Sequence, residues 1–169
     1  EDGVIANAIK LSFAQPAVMK ISNGEVNFDK NADNSLDVWS GQINLSAGTL
    51  NYSDLTTNGL LVATGGNLNI STANTKLNIN TGSSIAEETV VVLNEGTFIE
   101  LNGTRDGAVV NVNEDDTLNG NITAKSGSLN VTNREITYPM LTIANGDISN
   151  VYVSMTEHTI LNLVESSAD

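Results

Sequence analysis

The sequence predicts an all-β chain folded as a right-handed, single-stranded parallel β-helix, a β-solenoid of about six coils that is internally duplicated. Three observations carry that prediction. Short apolar-Asn-apolar segments recur from end to end, glycines punctuate them at close spacing, and no block of helix-forming charged residues interrupts them.

The pattern is densest in Gly41–Ser71. There Ile43-Asn44-Leu45, Leu50-Asn51-Tyr52 and Leu68-Asn69-Ile70 each set two apolar side chains on one face and an Asn on the other, the two-residue period of a half-buried strand. Gly41, Gly48 and Gly66 each stand one residue ahead of such a segment, where a tight turn takes a positive φ without steric cost. A strand with Leu and Ile on its inner face and Asn, Ser and Thr on its outer face buries itself by stacking on copies of itself. The same alternation marks Ile43, Leu45, Leu50, Tyr52, Leu61, Leu68, Ile70, Leu77, Ile79, Val110, Val112, Leu129, Val131, Leu141, Ile143, Leu161 and Leu163 as inward.

Composition agrees with a thin aliphatic core. Of the 169 residues 40% are hydrophobic but only 4% aromatic. Asn, Thr, Ser and Gly supply roughly two fifths of the chain, an uncharged polar surface suited to long sheets. A net charge of −13 with only 7 Lys and Arg argues against nucleic acid or an anionic membrane surface as partner, since both need clustered cations. With no Cys, disulfides, thiolate metal sites and Cys nucleophiles are excluded. The chain starts Glu1-Asp2 and contains no apolar run of about eighteen residues, so it is expected to be a mature or excised segment without a membrane span.

One solenoid domain is expected over 1–169. Residues 1–17 form its N-terminal cap, because 4–21 (VIANAIKLSFAQPAVMKI) lacks the strand-turn grammar and is split by Pro16. From Val18 onward two halves, 18–96 and 97–169, align in order. Val18–Ile21 matches Phe98–Leu101, 23–36 matches 106–118, 41–53 matches 120–132, 59–70 matches 139–150 and 75–79 matches 159–163, all roughly 80 residues apart.

The repeated Gly-x-Leu-Asn-apolar units at Gly48, Gly66 and Gly127, with looser forms at Gly24, Gly41 and Gly107, resemble the parallel β-helix passenger segments of bacterial exported adhesins, of the autotransporter and filamentous-haemagglutinin types. The resemblance covers about 20–165. It implies a secreted or cell-surface location, a role in adhesion and virulence, and a cell-surface protein or glycan as partner, with self-association as a further option. Polysaccharide lyases and phage tailspikes share such solenoids, so a lyase- or glycosidase-like enzyme and a tailspike-like receptor-binding segment remain the rival readings.

The candidate residues are few. Three extra residues between Leu36 and Gly41 include the only Trp, Trp39; an aromatic at the tip of an inserted loop offers a platform for a glycan or protein, against the plainer reading in which Trp39 folds back as a lid. Tyr138, beside Pro139 at the second half's own insertion, is the weaker ligand-binding candidate. The loop Asp29–Asp37 spaces oxygen ligands as an EF-hand does, but Asn34 replaces the turn Gly and Ser40 stands in place of the bidentate Glu. Asx turns account for that loop and for the Asx-rich 111–119, and no calcium is expected. His158 is the only histidine and has no nucleophile motif around it. Adjacent acids such as Glu87-Glu88 and Asp115-Asp116 point to opposite faces in a strand rather than across a substrate. No nucleotide-binding loop or zinc spacing is present, so neither catalysis nor a cofactor is expected.

Overall fold

A computed structural model describes residues 12–13, 16–28, 38–53, 59–137, 140–143, 151–155 and 160–162. Among them there is no helix. The strands are β1 (Ser12–Phe13), β2 (Val18–Ile21), β3 (Glu25–Phe28), β4 (Val38–Trp39), β5 (Gln42–Leu45), β6 (Thr49–Tyr52), β7 (Leu60–Ala63), β8 (Gly66–Ile70), β9 (Lys76–Asn80), β10 (Ser83–Ile85), β11 (Thr89–Leu93), β12 (Phe98–Asn102), β13 (Ala108–Val112), β14 (Thr117–Leu118), β15 (Asn121–Val131), β16 (Glu135–Thr137), β17 (Leu141–Ile143), β18 (Val151–Met155) and β19 (Ile160–Asn162).

All pairings are parallel, and they sort the strands into three faces of a β-solenoid. The first face carries the ladder β9–β12–β15–β17, and β1–β4 form a separate two-stranded sheet in the chain position ahead of β2 and β5. The second runs β2–β5–β7–β10–β13–β15–β18. The third runs β3–β6–β8–β11–β14, with β16–β19 in the same chain position further on. Strand β15 serves two faces. Its first part pairs with β12 and its second with β13, and the register slips by one residue between them, a β-bulge that bends the strand around the corner.

The period-2 pattern decides the core. Ile43, Leu45, Leu50, Tyr52, Leu61, Leu68, Ile70, Leu77, Ile79, Val110, Val112, Leu129, Val131 and Leu141 are all buried, as the alternation predicts. The side chains of Ile143 and Leu161, and all of Leu163, lie outside the described residues. Each inward side chain rests on the one a coil above and below, as Leu50 on Leu68 and Leu68 on Val91.

The corner between second and third faces explains two glycines. Gly48 and Gly66 have φ of 80° and 80°, and a side-chain carbon would lie 2.5 Å from Gly24 O at the first and 2.7 Å from Gly48 O at the second. A residue with Cβ would therefore meet both torsional strain and the coil beneath.

The two sequence-aligned halves do not superpose face for face. Gln42–Leu45 and Thr49–Tyr52 lie on the second and third faces, whereas their matches in 120–132 lie on the first and second. Val18–Ile21 on the second face matches Phe98–Leu101 on the first, and 75–79 on the first matches a stretch whose β19 is stacked on β16. Stacked partners are separated by as few as 18 residues (Asn51 and Asn69) and as many as 26 (Ser12 and Val38). About 80 residues thus amounts to roughly three and two-thirds coils. The repeating object is the strand-turn-strand unit, indifferent to the face it occupies.

Candidate functional site

Several outward asparagines are engaged with one another. On the third face Asn27, Asn51 and Asn69 stack in register. Asn51 Nδ2 donates to Asn27 Oδ1 at 2.7 Å, and Asn69 Nδ2 donates to Asn51 Oδ1 at 2.7 Å. On the second face Asn130 Nδ2 donates to Asn111 Oδ1 at 2.9 Å, and Asn111 Nδ2 to Ile85 O at 2.6 Å. Stacked amides in parallel register form such ladders for geometric reasons, because each is one strand spacing from the next.

One corner carries a staple of a different kind. Strand β14 is too short to pair with the whole of β11, and the buried Val91 N–H donates instead to Asp116 Oδ1 at 2.7 Å. Asp116 Oδ2 accepts from Asn113 N at 2.8 Å, while Arg134 from the next coil donates through one nitrogen to Asn113 O and Asp116 O at 2.8 and 2.9 Å. Burial pushes the Asp116 carboxyl above its ordinary value, and the two backbone donors and Arg134 offset only part of that. Asn113 Oδ1 also accepts from Asp115 N at 2.8 Å, so the 111–119 stretch closes an Asx turn as its sequence implies.

The first face is built differently. Phe98 pairs in register with Lys76 on one side and Asn121 on the other, all three on the outward side. Two positions along, Glu100 lies between Lys76 Nζ at 3.2 Å and Lys125 Nζ at 2.8 Å. Lys125 is the residue left over at the β15 bulge, which turns it outward toward Glu100. Burial acts to raise the Glu100 carboxyl, but the hydrogen bonds and charges of the two lysines together outweigh it and hold the group below its ordinary value.

Beside this network lies a groove of about 430 Å³, lined by Glu95, Gly96, Thr97, Phe98, Asn119, Gly120, Asn121, Thr123 and Thr142. The turns that follow β11 and β14 form one wall, and the outward residues of β12, β15 and β17 form the other. Thr97 fixes the first turn by donating Oγ1 to Asn94 O at 2.7 Å. Gly120 lets the next turn lie against it, since a side-chain carbon there would sit 2.5 Å from Thr97 O. Asn121 Nδ2 donates to Thr142 Oγ1 at 2.9 Å and Thr123 Oγ1 donates to Asn121 Oδ1 at 2.8 Å, so the polar groups are held in place before any ligand arrives. Among the described residues, Glu95 is the single carboxylate in the lining, and no group of three His, Cys, Asp or Glu is placed to hold a metal.

None of Trp39, Tyr138 and His158, singled out from sequence, is among the described lining residues. Trp39 is in β4, its backbone paired with Phe13 of β1, so its backbone lies in a strand. Tyr138, His158 and the Asp29–Asp37 loop lie outside the described residues. Phe98 was open to the same reading as Trp39, since Ile99 and Leu101 face inward and force it out. Tyr152 likewise faces outward, with the Arg105 guanidinium 3.9 Å above its ring. No known protein family, curated protein or solved structure matches the chain.

Proposed function

We propose that this chain is a non-catalytic segment of an exported bacterial surface adhesin, and that the groove beside Phe98 binds a cell-surface glycan while the laddered faces serve as a rigid spacer. The observation that carries the proposal is the groove's composition. An aromatic side chain stands beside a pre-bonded set of amide and hydroxyl groups, in a volume of about 430 Å³ that matches the size range of small-ligand sites. Sugars present apolar ring faces and hydroxyl rims, which suit that pairing.

The acids support the non-enzymatic part. A glycosidase needs two carboxylates across one cleft, whereas the described lining of the groove offers Glu95 alone. The Asp116 carboxyl, raised by burial, accepts from Val91 N and Asn113 N, while Arg134 is tied to the main-chain carbonyls of Asn113 and Asp116 beside it. Its ties are those of a corner staple.

A glycan array, followed by calorimetry on the hits and by product analysis on the same polysaccharides, tests the proposal. Saturable binding without cleavage products is expected. Cleavage products would overturn the non-enzymatic reading, and binding to cell-surface proteins with none to glycans would overturn the choice of ligand.

A further inference from the structure

Five Asn-Gly pairs occur in the chain, at Asn23-Gly24, Asn58-Gly59, Asn102-Gly103, Asn119-Gly120 and Asn145-Gly146. Such a pair is prone to spontaneous deamidation because the glycine nitrogen meets little steric resistance when it attacks the preceding side-chain amide. We propose that the fold selects among these sites, exposing Asn23 to deamidation while shielding Asn102 and Asn119, and that conversion at Asn23 loosens the first corner of the solenoid.

Three features separate the sites. The first is where the nucleophilic N–H points. Gly103 N donates to Ser126 O at 3.2 Å and Gly120 N to Leu93 O at 3.0 Å, so each would have to break an inter-coil hydrogen bond before attacking. Gly24 N donates instead to Asn23 Oδ1 at 2.9 Å, which holds the nitrogen against the amide it would attack. The second is room. A side-chain carbon at Gly103 or Gly120 would lie 2.5 Å from a neighbouring atom, whereas nothing stands within 4 Å of that position at Gly24. The third is cover over the attacking residue, since all three asparagines are exposed but Gly24 is exposed while Gly103 and Gly120 are partly covered.

The chemistry balances with water as the only co-reactant. Gly24 N bonds to Asn23 Cγ, the Cγ–Nδ2 bond breaks, and the amide nitrogen leaves as ammonia with the proton given up by Gly24 N. Water then opens the succinimide at one of its two carbonyls, leaving aspartate or isoaspartate. The isoaspartate route adds a methylene to the main chain directly before Gly24, whose carbonyl accepts the Thr49 N–H at 2.8 Å. That hydrogen bond ties the first level of the corner to the second.

The test is to age the full chain at mildly alkaline pH, folded and in denaturant, and to map aspartate and isoaspartate by mass spectrometry. In the folded chain position 23 is expected to convert several-fold faster than 102 and 119, and in denaturant the three rates should converge. Hydrogen exchange on the isoaspartate-23 species should show faster exchange at the Thr49 amide, and Asn23→Gln should abolish the conversion. Conversion at 102 or 119 that keeps pace with 23 in the folded chain would overturn the proposal. So would a preference for 23 that survives denaturation unchanged, because it would then belong to the local sequence.

Discussion

Asn69 and Asn121 are both outward asparagines on short parallel strands, yet they do different work. Asn69 donates straight down its column to Asn51, which donates to Asn27, so its amide is spent on holding coils together. Asn121 bonds to Thr142 and Thr123 along the rim of a groove beside Phe98, where its surroundings are open. The difference lies in the neighbouring coils. An Asn stacked on an Asn forms a ladder, whereas Asn121, stacked beside Phe98 and next to the Ile122–Leu141 pair, bonds to threonine hydroxyls. A polar face is therefore not a binding face until its own internal hydrogen bonds have been subtracted.

The largest effects expected are those that break the core on which both regions rest. Leu68→Ala, at a position with no solvent exposure, should cost about 2–5 kcal/mol in chemical denaturation. Asp116→Ala comes next, because it leaves the buried Val91 N–H unpaired, a loss of about 1–3 kcal/mol. Asn69→Ala should cost about 0.5–1.5 kcal/mol, and Asn51→Ala more than Asn69→Ala, since Asn51 both donates and accepts within the ladder. Equal losses for Leu68→Ala and Asn69→Ala would mean that inside and outside have been misassigned.

Titration sharpens the comparison with smaller effects of opposite sign. The folded Asp116 carboxyl is raised, so its contribution is largest below the ordinary carboxylate value and declines as pH climbs through the raised folded value. Asp116→Asn should remove that decline. The Glu100 carboxyl is lowered, so its contribution is present above the ordinary value and disappears as pH falls through the lowered folded one. Glu100→Gln should flatten the acid limb slightly, and salt should mimic it because the two lysines are substantially exposed. Denaturation curves of the two variants across mild acid would show whether the slopes differ in this way.

Much of the fold is legible in the sequence because one physical rule, the two-residue side-chain period, decides it locally. Leu68-Asn69-Ile70 needs no knowledge of distant residues to declare its faces. The order of stacking is different, because coil length varies and nothing local states it. The roughly 80-residue duplication is visible in sequence, but it falls a third of a coil out of phase, so it misleads about which residues share a face. Asp116 illustrates the consequence: its role depends on Val91, 25 residues earlier, and an acidic turn alone does not reveal that partner. Phe98 was within reach of the alternation rule, whereas its position beside Asn121 and Thr142 depended on the register. Trp39 drew notice as a rare residue in an insertion, and its backbone belongs to the short strand β4.

The most direct test of the central claim is a crossed measurement of glycan binding and stability on Phe98→Leu and Asn69→Ala. Leucine keeps apolar bulk beside the groove but removes the ring, so Phe98→Leu should lose most glycan binding with a nearly unchanged melting temperature. Asn69→Ala should lower the melting temperature and leave binding intact. Binding lost in Asn69→Ala and retained in Phe98→Leu would contradict the account, placing the ligand on the laddered face and leaving the groove without a role.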